Sequence, residues 1–375
     1  MSSPEALSAS SVFGSYGFVA QTGEPGMPPR QVDRFLKRLA PAVQETGKSR
    51  LALTLDFLAK RAKGYSISEY FSVPLYDGVP PNYIPHRDYH AAERLLNPRI
   101  TGVVGFSKWV QYNFFKANGI PQPETYGFVN GTRGVLNGTP FVPSSRTLCE
   151  QLRSLTLPTL VKMPPVNGQP HVDILLDIDE AGGRLHFEAR GWRDIDGLLS
   201  GPEGEGAGIL FQELLNQHQA LGVFPPALNT LRVITHIGPT GEIDIAACFL
   251  KIARTGHRID NMHHGAVGAH VDLSSGRLEK GFSGAGRTRF THHPDTGAPI
   301  EGFEVPFFAE AIALAKRAHP LLQSPSLIGW DVAVTDEGPK IIEANSYVAF
   351  WTTQKGDHGL GQSSIGRHIR AVLDR

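Results

Sequence analysis

The chain has 375 residues, 41% of them hydrophobic, enough to bury the cores of two or three domains. Lys plus Arg and Asp plus Glu both total 36, so the formal net charge is zero, and the basic surplus expected of a nucleic-acid partner is not evident. Cys149 and Cys248 lie far apart without a CxxC neighbour, which excludes a disulfide framework or cysteine zinc site and fits a reducing compartment. The N-terminus lacks a basic-then-apolar leader pattern, and no apolar run reaches the roughly 18 residues of a spanning helix. The expected location is cytoplasmic, with no membrane span, and the oligomeric state is not readable from the chain.

In chain order, residues 1–28 are rich in Ser, Gly and Pro, lack periodicity, and read as a flexible arm. Residues 30–63 read as helix interrupted near Pro41. In the second piece Leu51, Leu55, Leu58 and Ala62 recur at three- and four-residue steps and predict one apolar face. The proline-rich stretch 72–88 predicts an extended crossing segment. Over 106–118 a helix is predicted from Phe106, Val110 and Phe114, with Ser107 as N-cap and Gly119 as terminator. From residue 159 the text becomes short β-rich segments separated by glycine-containing turns. Residues 209–220 read as helix, 231–237 and 242–252 as a hairpin around Gly238–Gly241, 308–319 as helix, and 327–335 and 339–345 as two strands. The class is α+β.

The most informative stretch is LIGWDVAVTDEGPKIIEANSY. Side-chain alternation puts Ile328, Trp330, Val332 and Val334 on one face and Asp331 on the other. With Asp336-Glu337-Gly338 as a three-residue turn, Asp331 opposes Glu343 and Asn345 opposes Gly329. Opposed like charges about 5 Å apart repel, and a cation between them removes the repulsion. Two carboxylates and an amide oxygen suit Mg²⁺. The same pattern also suits a hairpin whose carboxylates simply face water.

Lys108 falls at a helix start, where free amides favour phosphate. Lys162 lies inside the apolar strand TLVKMPP and calls for an anion, or else snorkels to water from an edge strand. Gln212, Glu213 and His218 follow an apolar run, and Glu213 could accept from an adenine amino group. Arg232, Lys251 and Arg254 are charges in β-rich apolar text, suited to anion recognition or to an outer strand face. His263 and His264, adjacent and poorly spaced for a metal, read as part of a substrate-side loop. His292-His293 before Pro294 reads as turn chemistry.

Together FSKWVQYNFFKANGIPQPETYG, TLVKMPP, FQELLNQH, LNTLRVIT, CFLKIARTGHRIDNMHHGAVGAHVD, HHPDTGAPIEGFEVP and IGWDVAVTDEGPKIIEANSY resemble, in order, the ATP-grasp superfamily, and more narrowly its sugar-transfer associated, α-L-glutamate ligase-like branch. GYSISEYFSVPLYDGVPPNYIPHRDYH resembles the branch's helical lead-in, so the likeness runs from about residue 50 almost to the C-terminus. The resemblance implies an ATP-grasp fold, two α+β subdomains clasping ATP, with a helical N-terminal extension. It divides the chain into a helical region 29–105, an N-terminal subdomain 106–208 and a C-terminal subdomain 209–375 that carries the metal site.

It also implies Lys108 and Lys162 on the ATP phosphates, Gln212, Glu213 and His218 around the nucleoside, and Asp331, Glu343 and Asn345 on one or two Mg²⁺ ions, or Mn²⁺. Arg232 and Arg254 would face the transferred phosphate or the substrate, and Lys251, read from the strand pattern, is taken as a catalytic candidate beside them. The implied reaction joins a small-molecule carboxylate to an amine through an acyl phosphate. A kinase on the same fold and a non-catalytic nucleotide-binding protein are the alternatives. Two departures stand out: the loop after Lys162 holds only Gly168, and Tyr347 stands where many relatives have arginine.

Overall fold

The structure, a computed structural model, describes residues 29–97, 107–166, 169–201, 208–257, 260, 262, 265–283, 288–322, 325–348, 350–355 and 358–374. The arm expected over 1–28, Gly168, and His263 and His264 of the expected substrate-side loop lie outside the described residues.

Helices α1 (Pro29–Thr46), α2 (Arg50–Ala62) and α3 (Ile67–Ser72) share a small core around Phe35, Leu39, Leu53, Phe57 and Tyr70. Pro41 lies inside α1 and does not interrupt it. Pro41 is exposed, so water can satisfy the carbonyl it leaves unpaired, while Phe35, Leu39 and Ala42 hold the helix to its neighbours. The break falls instead at Gly47, whose φ is +68°, and Ser49 caps α2 by accepting from the Ala52 N–H at 3.1 Å. Leu51, Leu55 and Leu58 do share a face, but it looks into solvent; the core side of α2 is Leu53 and Phe57. The segment expected to be extended to residue 88 turns into α4 (His86–Leu96) earlier. Helix α5 (Lys108–Ala117) is capped by Ser107 and stopped by Gly119, φ +64°, as expected. It buries Gln111, Tyr112 and Phe115 and leaves Val110 exposed, so its inner face is turned from the predicted one.

The first sheet comprises β1 (Thr125–Val129), β2 (Gly134–Leu136), β3 (Thr139–Phe141), β4 (Thr159–Val166), β5 (Gln169–Asp179), β6 (Arg184–Phe187), β7 (Gly191–Asp194) and β8 (Ile209–Glu213). Helices α6 (Ser145–Leu152) and α7 (Ile195–Ser200) pack on it, and its order is β3-β2-β1-β8-β4-β5-β6-β7, antiparallel throughout. Residues 209–213 are therefore a central strand, not the predicted helix. Ile209, Leu210, Phe211 and Gln212 are all buried, and a short run buried on both faces has no periodicity that separates strand from helix. β8 pairs with β1 and β4 and so belongs to the first sheet.

The second sheet runs β13-β12-β11-β10-β9-β14-β15, again antiparallel, from β9 (Thr230–Ile237), β10 (Ile243–Ile252), β11 (Val267–Val271), β12 (Leu278–Phe282), β13 (Arg289–Phe290), β14 (Leu327–Thr335) and β15 (Gly338–Asn345). On one face Leu231, Val233, Trp330 and Val332 pack against helix α8 (Phe308–Ala318) and Phe115 of α5. On the other, Ile234, Phe249 and Leu327 meet Tyr89 and Leu96 of α4, Phe350 of α9 (Phe350–Thr353), and Ile365 and Ile369 of α10 (Ser364–Leu373). The lead-in helix α4 thus belongs to the wall of the second sheet.

Candidate active site

Asp331 on β14 lies directly opposite both Arg232 on β9 and Glu343 on β15, so three charged side chains form a row across three strands. The predicted pairing of Asp331 with Glu343 and Gly329 with Asn345 holds, although the turn is tighter than expected. Gly338 pairs with Thr335, and a bulge between Asp331 and Val332 restores the register at the site.

Arg232 forks onto Asp331, Nε donating to Oδ1 at 2.7 Å and Nη2 to Oδ2 at 3.1 Å. The Lys251 Nζ is 3.2 Å from Asp331 and 3.5 Å from Asp260, whose carboxylate also accepts from the Thr230 N–H and hydroxyl at 2.8 and 2.6 Å. Lys251 is therefore a buried cation and not a surface charge on an outer strand. Burial alone raises a carboxyl pKa, but the Arg232 and Lys251 charges outweigh it and hold Asp331 well below the usual carboxylate range. Gly329, on the Asp331 face, gives the guanidinium room: a Cβ there would lie 3.3 Å from Arg232 Nη1.

Lys108, from the start of α5, donates to Glu343 Oε2 at 3.1 Å. Lys162 on β4 reaches the same cluster from the other sheet. Burial and the neighbouring Lys108 charge push its ammonium down to about 7, against the pull of Glu343 and Asp331. Lys162 has no ion-pair partner among the described residues. Asn345 follows Glu343 by two residues on the same face of β15.

Asp331, Glu343 and Asn345 form a hard-oxygen set that fits Mg²⁺ completed by water and phosphate oxygens. Glu343 has one oxygen clear of Lys108, and Asp331 Oδ2 accepts a single bond from Arg232. Among the described residues no three His, Cys, Asp or Glu side chains converge as a metal site, so these residues could hold such an ion only with that amide and non-protein ligands.

The other expected residues distribute unevenly. Gln212 is buried and donates to Thr125 Oγ1 at 2.8 Å, and its Oε1 is without a partner among the described residues. Glu213 accepts from the Glu124 N–H at 3.0 Å and lies 3.6 Å from Lys340 of β15, so it links the two sheets. His218 lies at the turn end of the β14–β15 hairpin, not at the Asp331 end. Its N–H donates to the Val334 carbonyl at 2.7 Å and its Nδ1 accepts from the Ala220 N–H at 3.1 Å. Arg254 forks onto Asp295 at 2.7 and 2.5 Å beside an open pocket lined also by Thr255, His257 and Gly265. No contact among the described residues joins Arg254 to Asp331.

Two further groups carried no sequence signal. Lys340 is one. The other is on α4, where His90 Nδ1 is 3.0 Å from Glu93 Oε2 and His90 Nε2 is 2.8 Å from His86 Nε2. Glu93 is buried and accepts from the Tyr89 hydroxyl at 2.8 Å. The half-exposed Tyr347, two residues beyond Asn345, stacks near the His90 ring with its hydroxyl 3.5 Å from Nε2. The i, i+4 and i+7 spacing of His86, His90 and Glu93 marks one helix face, but nothing local ties that face to residue 347.

Two antiparallel sheets joined through β8, with a lysine–carboxylate cluster where they meet, define a protein of the ATP-grasp fold. The model of the sugar-transfer associated ATP-grasp family matches residues 90–365, well over half of the chain, and the chain belongs to that family. The match begins at His90, so the likeness seen in the sequence over residues 50–89 lies outside it.

Among solved structures the chain is similar to N5-carboxyaminoimidazole ribonucleotide synthetase from Thermotoga maritima, at 15% identity, 77% of this chain, 56% of that chain and TM-score 0.40. It is similar to L-amino acid ligase from Bacillus licheniformis, at 13% identity, 68% and 43% coverage and TM-score 0.38. It is also similar to D-alanine–D-alanine ligase from Bacillus anthracis, at 11% identity, 76% of each chain and TM-score 0.40. The chain spans about half the length of the first two. No match was found among curated proteins. Among the described residues no helix is long and apolar enough to cross a membrane.

Proposed function

We propose that the protein is an ATP-dependent ligase that activates a small-molecule carboxylate as an acyl phosphate and passes it to an amine. The observation that carries this reading is the convergence of Lys108 and Lys162 with Arg232 and Lys251 on Asp331 and Glu343. With Asp260, which also pairs with Lys251, the four cations face three carboxylates, and the small positive surplus that Lys162 leaves suits a polyphosphate. Lys162, with no anionic partner of its own, is the group that gains most from one.

In this reading Lys108 and Lys162 grip the phosphates, and the unpaired Gln212 Oε1 accepts from the adenine amino group beside Glu213. Mg²⁺ held by Asp331, Glu343 and Asn345 neutralises phosphate charge when bound. A substrate carboxylate oxygen attacks the γ-phosphorus and ADP leaves. The amine nitrogen then attacks the acyl carbon, inorganic phosphate leaves, and the nitrogen gives up a proton. The chain supplies positioning and charge rather than a covalent nucleophile.

Incubation with ATP, Mg²⁺ and pooled amino acids, with and without hydroxylamine, tests the proposal. ADP with a hydroxamate is the expected result. ADP with a stable phosphorylated product identifies a kinase instead, and nucleotide binding without ADP in any mixture overturns both.

A further inference from the structure

Helices α1 to α3 lie outside the span matched by the family model, and they carry a surface the site does not use. Leu51, Leu55 and Leu58 are 68%, 58% and 48% exposed, on the side of α2 turned away from Leu53 and Phe57. With 1.5 Å rise per residue they form a stripe about 10 Å long. On α1, Val32 and Leu36 are also exposed, one helical turn apart. An apolar stripe facing water on an otherwise packed helix marks a covering partner.

Charge selects that partner. Residues 29–64 contain nine Lys or Arg against three Asp or Glu, a net +6 in a chain whose total is zero. Nine of the chain's 36 basic residues thus fall in this segment, a local surplus that the overall balance conceals. Arg30, Arg34, Lys37, Lys48, Arg50 and Lys63 are exposed. A second copy offering the same face would set +6 against +6, which opposes a two-fold dimer. A free polyanion would have no use for the leucines. Exposed leucines set among Lys and Arg on a short helical hairpin match the chemistry of a surface resting in an anionic lipid headgroup layer.

We propose that α1 and α2 dock the protein on anionic membrane surfaces, the leucines of α2 entering the headgroup–acyl boundary and the flanking Lys and Arg meeting lipid phosphate or carboxylate. This does not depend on the ligase reading.

The test is co-sedimentation of the full chain with vesicles of phosphatidylcholine containing one third phosphatidylserine, against pure phosphatidylcholine. Binding is expected only to the anionic vesicles, weakened by high salt. The triple Leu51→Ser, Leu55→Ser, Leu58→Ser variant touches only exposed side chains and should melt as the wild type does. It should lose about tenfold or more in partitioning. Arg30→Gln, Arg50→Gln and Lys63→Gln together should lose about a hundredfold, at about fivefold per basic residue. No vesicle binding overturns the proposal. So does salt-sensitive binding that the leucine variant leaves unchanged, which would indicate a plain polyanion site. Self-association in the ultracentrifuge, abolished by the leucine variant and unaccompanied by vesicle binding, would assign the face to a second copy.

Discussion

Nucleotide binding should take up a proton at Lys162, and the amount follows from the geometry. In the free protein this ammonium titrates at about 7, because burial and Lys108 oppose its charge. A phosphate oxygen at about 4 Å contributes about 4 kcal/mol at an effective dielectric of 20, or about three pH units at 1.36 kcal/mol each. Its pKa in the complex therefore returns to about 10. Binding should then absorb about 0.5 proton at pH 7 and about 0.9 at pH 8.5, and affinity should fall about fifteenfold between the two. Calorimetry in two buffers of different ionisation enthalpy measures the uptake directly. Lys162→Met should bind more weakly at both pH values and absorb almost none. Uptake below about 0.2 proton at pH 8.5, or uptake that survives Lys162→Met, refutes the assignment of Lys162 to the phosphates. The sign also fixes a stability trend. The folded pKa is lower than the unfolded one, so between pH 7 and the ordinary lysine value the unfolded chain holds the extra proton. This group therefore makes stability rise with pH across that window.

Asp331→Asn should cost about 3–5 kcal/mol in thermal or urea unfolding, because it strands Arg232 as a buried cation and leaves Lys251 with Asp260 alone. Glu343→Gln, at a half-exposed pair with Lys108, should cost under about 1 kcal/mol yet abolish Mg²⁺-dependent nucleotide binding in a metal titration. Gly329→Ala should fold normally but displace the Arg232 guanidinium, lowering ATP turnover about tenfold in a steady-state assay, with Gly329→Val worse. His86, His236 and His319 are each pulled down to about 4, chiefly by burial. Their folded pKa values lie below the unfolded ones, so stability is present above about pH 6.5 and falls as pH drops toward 4, by about 1–3 kcal/mol per histidine. His236→Asn should flatten that slope in melting curves, since His236 pairs with His368 and Ser364 of α10.

What the sequence alone determined was local. Ser107 and Gly119 bound α5 because a cap needs only its own turn, and Asp331 faces Glu343 because the two strands are joined by a turn of a few residues. The carboxylate pair could therefore be read, because the turn is one residue tighter than predicted and a bulge that spacing did not foretell offsets it. Three things were decided only by tertiary structure. Arg232 reaches Asp331 because β9 lies beside β14, a neighbour about a hundred residues away in the chain. Lys162 joins the cluster because the first sheet folds over the second. The leucines of α2 look like a core stripe by spacing, but spacing shows only that residues share a face; what covers that face depends on elements placed by the rest of the fold. Here Leu53 and Phe57 took the inner side and left the leucines to water. Periodicity and turn chemistry act through neighbours a few residues apart, whereas burial and charge pairing act through space, and only the folded chain sets those distances.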